Sequence, residues 1–196
     1  MTARAWCMAF ALAAFAGACD RGGGGETPAA PEANPEMQAP APESAPGRRY
    51  RASSETARAT TGRLVVTLTT RMPDAAAKET QASEILSLRG ETGLLMEGAL
   101  EGSIGPAVAV EGQTIRSLMD LPVEASRVLV YRVVEETAPE GGQRFCGARP
   151  TSRVLVWEPE GPVQEELRLL TLSGDPPGQA GAQLCMALAY ERAEAN

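Results

Sequence analysis

A run of four glycines, Gly22 to Gly25, is followed by Pro28, Pro31, Pro35, Pro40, Pro42 and Pro46, and no periodic apolar pattern crosses the stretch from Asp20 to Gly62. Proline fixes its own φ and lacks the amide hydrogen that helices and strand ladders use, so such a stretch cannot assemble a core. It reads as a semi-extended tether, partly polyproline II; about 43 residues of flexible chain span on the order of 35 Å root-mean-square. The glycines are not a phosphate loop, because no strand precedes them and no Gly-Lys-Ser/Thr follows. A core is therefore expected only within residues 63–196, about 130 residues, enough for a single domain.

Within that region the apolar runs are short and β-branched. Leu64 to Thr70 reads as a strand, and Met72-Pro73-Asp74 breaks it. Ala75 to Ser83 is Ala-rich behind Asp74, which predicts a short helix. Ile85 to Arg89 and Leu94 to Leu100 flank a hairpin turn at Gly90 to Gly93, and Val108 to Val110 is a short strand before a turn at Glu111-Gly112. Ile115, Leu118 and Met119 have helical spacing. Val128 to Val134 is apolar on both of its faces, as a central strand would be; Val154 to Trp157, Leu167 to Leu172 and Leu184 to Tyr190 follow, separated by breaks too short for crossover helices. In the last of these, Leu184, Met186, Leu188 and Tyr190 are expected on one face. The whole predicts a mainly β domain, an antiparallel β-sandwich or barrel-like meander with one or two short helices.

The amino terminus has its own logic. Arg4 precedes an uncharged apolar run from Ala5 to Phe15, the length of a signal-peptide core and too short to span a bilayer. The junction Ala16-Gly17-Ala18-Cys19 resembles the lipobox of bacterial lipoprotein precursors. That resemblance implies a signal peptide over residues 1–18, cleavage before Cys19, and acylation of Cys19 as the first residue of the mature chain. It further implies a protein of the bacterial cell envelope, anchored by lipid and facing the periplasm, on the inner or the outer membrane. Ala16 stands where Leu, Val or Ile is commoner, and the same tripeptide also fits ordinary signal-peptidase cleavage. Arg48, Arg49, Arg51, Arg58 and Arg63 make the end of the tether basic. Such a cluster can touch anionic headgroups or dock on the chain's own acidic domain, and we read the second.

Composition excludes several chemistries. The chain has no histidine, which removes Ser-His-Asp and Cys-His catalysis and His-ligated zinc. A net charge of −7 argues against nucleic acid as the partner. Asp74, Asp120 and Asp175 sit near prolines as turn and cap residues. Glu135-Glu136, Glu158 with Glu160, and Glu165-Glu166 are read as solvated strand ends, and no acidic calcium-loop pattern occurs. No cofactor and no metal are expected.

Cys7 leaves with the signal peptide and Cys19 is acylated, so Cys146 and Cys185 remain to pair in an exported protein. Arg144 and Arg149 bracket Cys146; with Phe145 and Tyr131 they form a candidate binding patch, since arginine and aromatics anchor interfaces. The alternative is a loop merely stapled by the disulfide. The functional expectation is a non-catalytic binding or structural module, its partner an envelope protein or glycan. The second reading is a histidine-free hydrolase working through carboxylates or serine.

Overall fold

The computed structural model describes residues 47–72, 82–138, 140–161 and 165–193. The chain forms β1 (Arg48–Ala52), α1 (Glu55–Thr60), β2 (Leu64–Arg71), β3 (Ser83–Gly90), β4 (Leu95–Ile104), β5 (Ala109–Val110), β6 (Gln113–Thr114), α2 (Ile115–Met119), β7 (Val128–Thr137), β8 (Arg153–Trp157), β9 (Glu166–Gly174) and β10 (Ala182–Arg192). The mainly β, antiparallel meander expected from the sequence is present, and it is a barrel. Each of the eight long strands pairs antiparallel with its neighbours along the chain, and β1 pairs with β10 to close the ring. β5 and β6 stand outside it as a two-stranded ribbon joined by the expected turn, with Glu111 and Gly112 both at positive φ.

Alternation along each strand sorts the side chains into two layers. Leu64, Val66, Leu86, Leu88, Met96, Val154, Val156, Leu167 and Leu169 point inward and fill the lumen, as side chains do in an eight-stranded barrel. The intervening residues Val128, Val130, Leu155, Trp157, Leu170 and Leu172 point outward and are covered by Val110, Ile115, Met119 and Leu121. The apolar two-faced runs of β7 to β9 thus have a cause: the β5–β6–α2 excursion lies on their outer surface. Elsewhere the outer surface carries Arg49, Arg51, Arg89 and Arg132, all exposed. That is the reverse of a lipid-embedded barrel, whose outward band is apolar. Among the described residues no helix is long and apolar enough to cross a membrane.

Four expectations need correction or fall outside the described residues. The tether does not reach Gly62: residues 48–52 are a barrel strand and residues 55–60 a helix. Arg48, Tyr50 and Ala52 face inward while Arg49 and Arg51 face out, a period of two masked by three arginines. The helix expected over Ala75 to Ser83 lies outside the described residues except at its end, where Ser83 opens β3. Residues 1–46, where the signal peptide and the acylated Cys19 are expected, also lie outside them. In β10, Leu184 does not share a face with Met186, Leu188 and Tyr190. The register jumps between Leu184 and Met186, Cys185 is the extra residue, and Leu184 packs on the outer cluster.

Candidate functional site at the barrel mouth

The two ends of the barrel differ. One is closed. There α1 follows β1, capped by Ser54, whose hydroxyl accepts from Ala57 N at 3.2 Å and also from Ala189 N at 3.2 Å in β10. Ala57 and Thr61 are buried beneath it, and the Tyr190 hydroxyl meets Thr61 Oγ1 at 2.7 Å. Phe145 enters the same end and joins the inner core. Its backbone N–H donates to Glu136 Oε1 at 2.8 Å, and the Cys146–Cys185 disulfide, with Cα atoms 4.9 Å apart, ties its loop to β10.

This overturns the candidate patch. Tyr131 and Phe145 are each 1% exposed inside the barrel, so neither shares a surface with Arg144 and Arg149. Arg144 sits in the disulfide loop, bridged to Gly147. Arg149 reaches Gln183 and the carbonyl of Leu184. The loop is a plug: its aromatic residue was read as an exposed anchor and is instead the group the loop buries.

At the other end, where β7 and β9 begin and β8 ends, none of the described residues forms a plug like that of Phe145. A cleft of about 970 Å³ lies there, walled by residues 120–122, 124–127 and 157–161. Its floor joins the two cores, since Leu129 and Val156 belong with the lumen and Leu121 and Trp157 with the outer layer. One wall is held by Arg116, whose guanidinium donates to the carbonyls of Pro122 and of Ala125, the latter at 2.9 Å. Asp120 ends α2 in the left-handed region and returns its N–H to the helix, a cap geometry that Asp and Asn tolerate.

At this mouth two tyrosines and two carboxylates meet. The Tyr50 hydroxyl donates to Glu158 Oε1 at 2.7 Å, and Arg48 donates to Glu158 Oε2 at 2.7 Å. The Arg48 and Glu158 side chains are only 20% and 15% exposed. The Tyr131 hydroxyl donates to Glu84 Oε1 at 2.6 Å. Burial first, then the hydrogen bond and the charge of Glu158, pushes Tyr50 up to about 12. Tyr131 is raised further still, by burial, by Glu84, and by the charge of Glu158. Both phenols are therefore donors at neutral pH, and both oxygens of Glu158 are occupied.

The sequence matches no protein-family model, no curated protein and no solved structure. What the site does rests on its own geometry.

Sequence reasoning noticed Glu158 but read it as solvated, and it missed Arg48, Tyr50 and Glu84. The signal for the first two was the inward parity of residues 48, 50 and 52. For Glu84 it was its place two residues before Leu86 on an inward-facing row. Among the described residues no cluster of acids and cysteines is placed to hold a metal ion.

Proposed function

We propose that this chain is a lipid-anchored protein of the bacterial cell envelope whose barrel is a non-catalytic binding module, with the mouth cleft as its binding site. The observation that carries the binding reading is the concave cleft at the end of the filled barrel opposite the Phe145 plug, as the described residues form it. Concave clefts of this size are where proteins bind their ligands, and this one sets charged walls over an apolar floor. The Ala16-Gly17-Ala18-Cys19 junction supports the anchor.

The competing hydrolase reading has one observation in its favour: Glu158 lines a concave site. General acid–base work needs a carboxyl free to trade its proton with substrate. Glu158 instead spends one oxygen on Tyr50 and the other on Arg48, and Glu84 accepts from Tyr131. Such saturation suits a fixed rim better than a turnover site.

The test immobilises the full-length chain against envelope extract. Wild type is compared with Ser126→Trp, which fills the cleft from an exposed lining position, and with Arg144→Ala at the closed end. Retention lost in the first variant and kept in the second is the expected result. Retention indifferent to Ser126→Trp contradicts the assignment of the site. Turnover of peptidoglycan, esters or peptides that vanishes in Glu158→Gln contradicts the non-catalytic reading.

A further inference from the structure

The cleft's walls have a chemistry that selects its occupant. Among the described residues five carboxylates line it, from Asp120, Glu124, Glu158, Glu160 and Glu166, against the guanidinium of Arg127. Three of the five are already held. Glu158 is bound by Arg48 and Tyr50, Glu160 lies 3.6 Å from Arg127, and Glu166 lies 3.0 Å from Arg168. The exposed carboxylates of Asp120 and Glu124 have no partner among the described residues. Between them in sequence stands Val123, 89% exposed, a large apolar side chain clear of either core.

This edge is held in place. Leu121 and Ala125 are buried on either side of it, and Arg116 clamps the carbonyls of Pro122 and Ala125. Two carboxylates lining the cleft over an apolar floor, with the exposed Val123 beside them in the chain, are complementary to a segment that carries a cation with apolar neighbours. The barrel is closed, so strand addition at a free edge of its sheet is not available, and recognition falls to side chains. The net charge of −7 would also speed the approach of a positive partner.

We propose that the mouth cleft docks a cationic, partly apolar peptide segment of a protein partner. An arginine or lysine of that segment meets Asp120 and Glu124, and its apolar neighbours cover Val123 and the Leu129–Val156–Trp157 floor. The inference rests on the cleft being the binding site and adds the chemistry of what binds there.

The test uses the chain from Cys19 onward, in which Trp157 is the sole tryptophan and a reporter on the cleft floor. Emission is titrated with an octapeptide alternating arginine and leucine, with its glutamate and glutamine counterparts, and with spermidine. The expected result is a saturable, salt-sensitive change with the arginine peptide alone. The double variant Asp120→Asn/Glu124→Gln weakens it by about tenfold, a loss typical of close charge contacts. Asparagine tolerates the left-handed backbone of residue 120, so that variant keeps the wall. An equal response to the glutamine peptide, or to spermidine, overturns the proposed chemistry and leaves the cleft a binding site. Silence with every peptide, while Ser126→Trp still abolishes retention from envelope extract, overturns this inference alone. Silence together with retention indifferent to Ser126→Trp overturns both.

Discussion

Tyr50, Tyr131 and Tyr190 are the chain's three tyrosines, and all lie inside the barrel. Burial is the first cause that raises each one; Glu158 adds to it at Tyr50 and Glu84 at Tyr131, while the Thr61 contact opposes it at Tyr190. A phenol raised in the folded state keeps a proton that the unfolded chain has lost. Its contribution is therefore complete below the unfolded value of about 10 and declines as pH rises through the folded value. We predict that stability is undiminished by tyrosine ionisation up to about pH 10 and falls between there and about 12, where Tyr50 ionises. Phenolate absorbance should rise well above the free-tyrosine midpoint; a midpoint at the free value contradicts the buried placement. Two further substitutions separate core from surface. Leu169→Ala, fully buried in the lumen, should cost about 2–5 kcal/mol in denaturant unfolding. Arg51→Ala breaks a 2.6 Å ion pair with Glu191, but the two side chains are 68% and 49% exposed, so the loss should stay below about 1 kcal/mol.

At the scale of elements, the bulges decide what period-two reading cannot. Cys185 in β10, Val134 in β7 and Glu101 in β4 fall where the register shifts, each without a ladder partner. The first makes the disulfide, the second leaves an apolar side chain exposed, and the third gathers Arg132 and Arg153. The disulfide closes 39 residues. Removing it with Cys146→Ser and Cys185→Ser should lower stability by about 4 kcal/mol in the chain-entropy account. The loss should appear as reduced protection in the Phe145 loop and at α1 before it reaches the mouth. The strands of the carboxy-terminal half were legible because their apolar runs are unbroken and the turns between them short. β1 was not, because in Arg48–Ala52 three arginines surround one tyrosine, and a charge run reads as solvent-exposed chain until the alternation is weighed. Its pairing with both β2 and β10 gives a direct check. Limited trypsinolysis should leave Arg48, Arg49, Arg51 and Arg58 intact under conditions that cut upstream of residue 47. Rapid cleavage at those arginines contradicts the closed ring.

For the whole molecule, the fold class and the disulfide were readable from pattern and cysteine arithmetic, while the site was not. A cleft is made by the meeting of segments far apart in sequence. Here those are the loop after α2, the end of β8 and the start of β9, together with Arg48, which lies 110 residues from the glutamate it holds. No local spacing announces that meeting. The proposed anchor makes its own prediction: the membrane-extracted protein should begin at Cys19 and carry the mass of a diacylglycerol, and an unmodified chain starting there contradicts it. The proposed division of labour between a plugged end and a binding mouth is tested most directly by site-specific photo-crosslinking in intact cells that express the full chain. A photoreactive residue is placed at Ser126 in the cleft or at Gln143 in the exposed closed-end loop. The account predicts discrete adducts from position 126 and none from position 143. Adducts from position 143 alone, or from both positions equally, would contradict the mouth as the binding site.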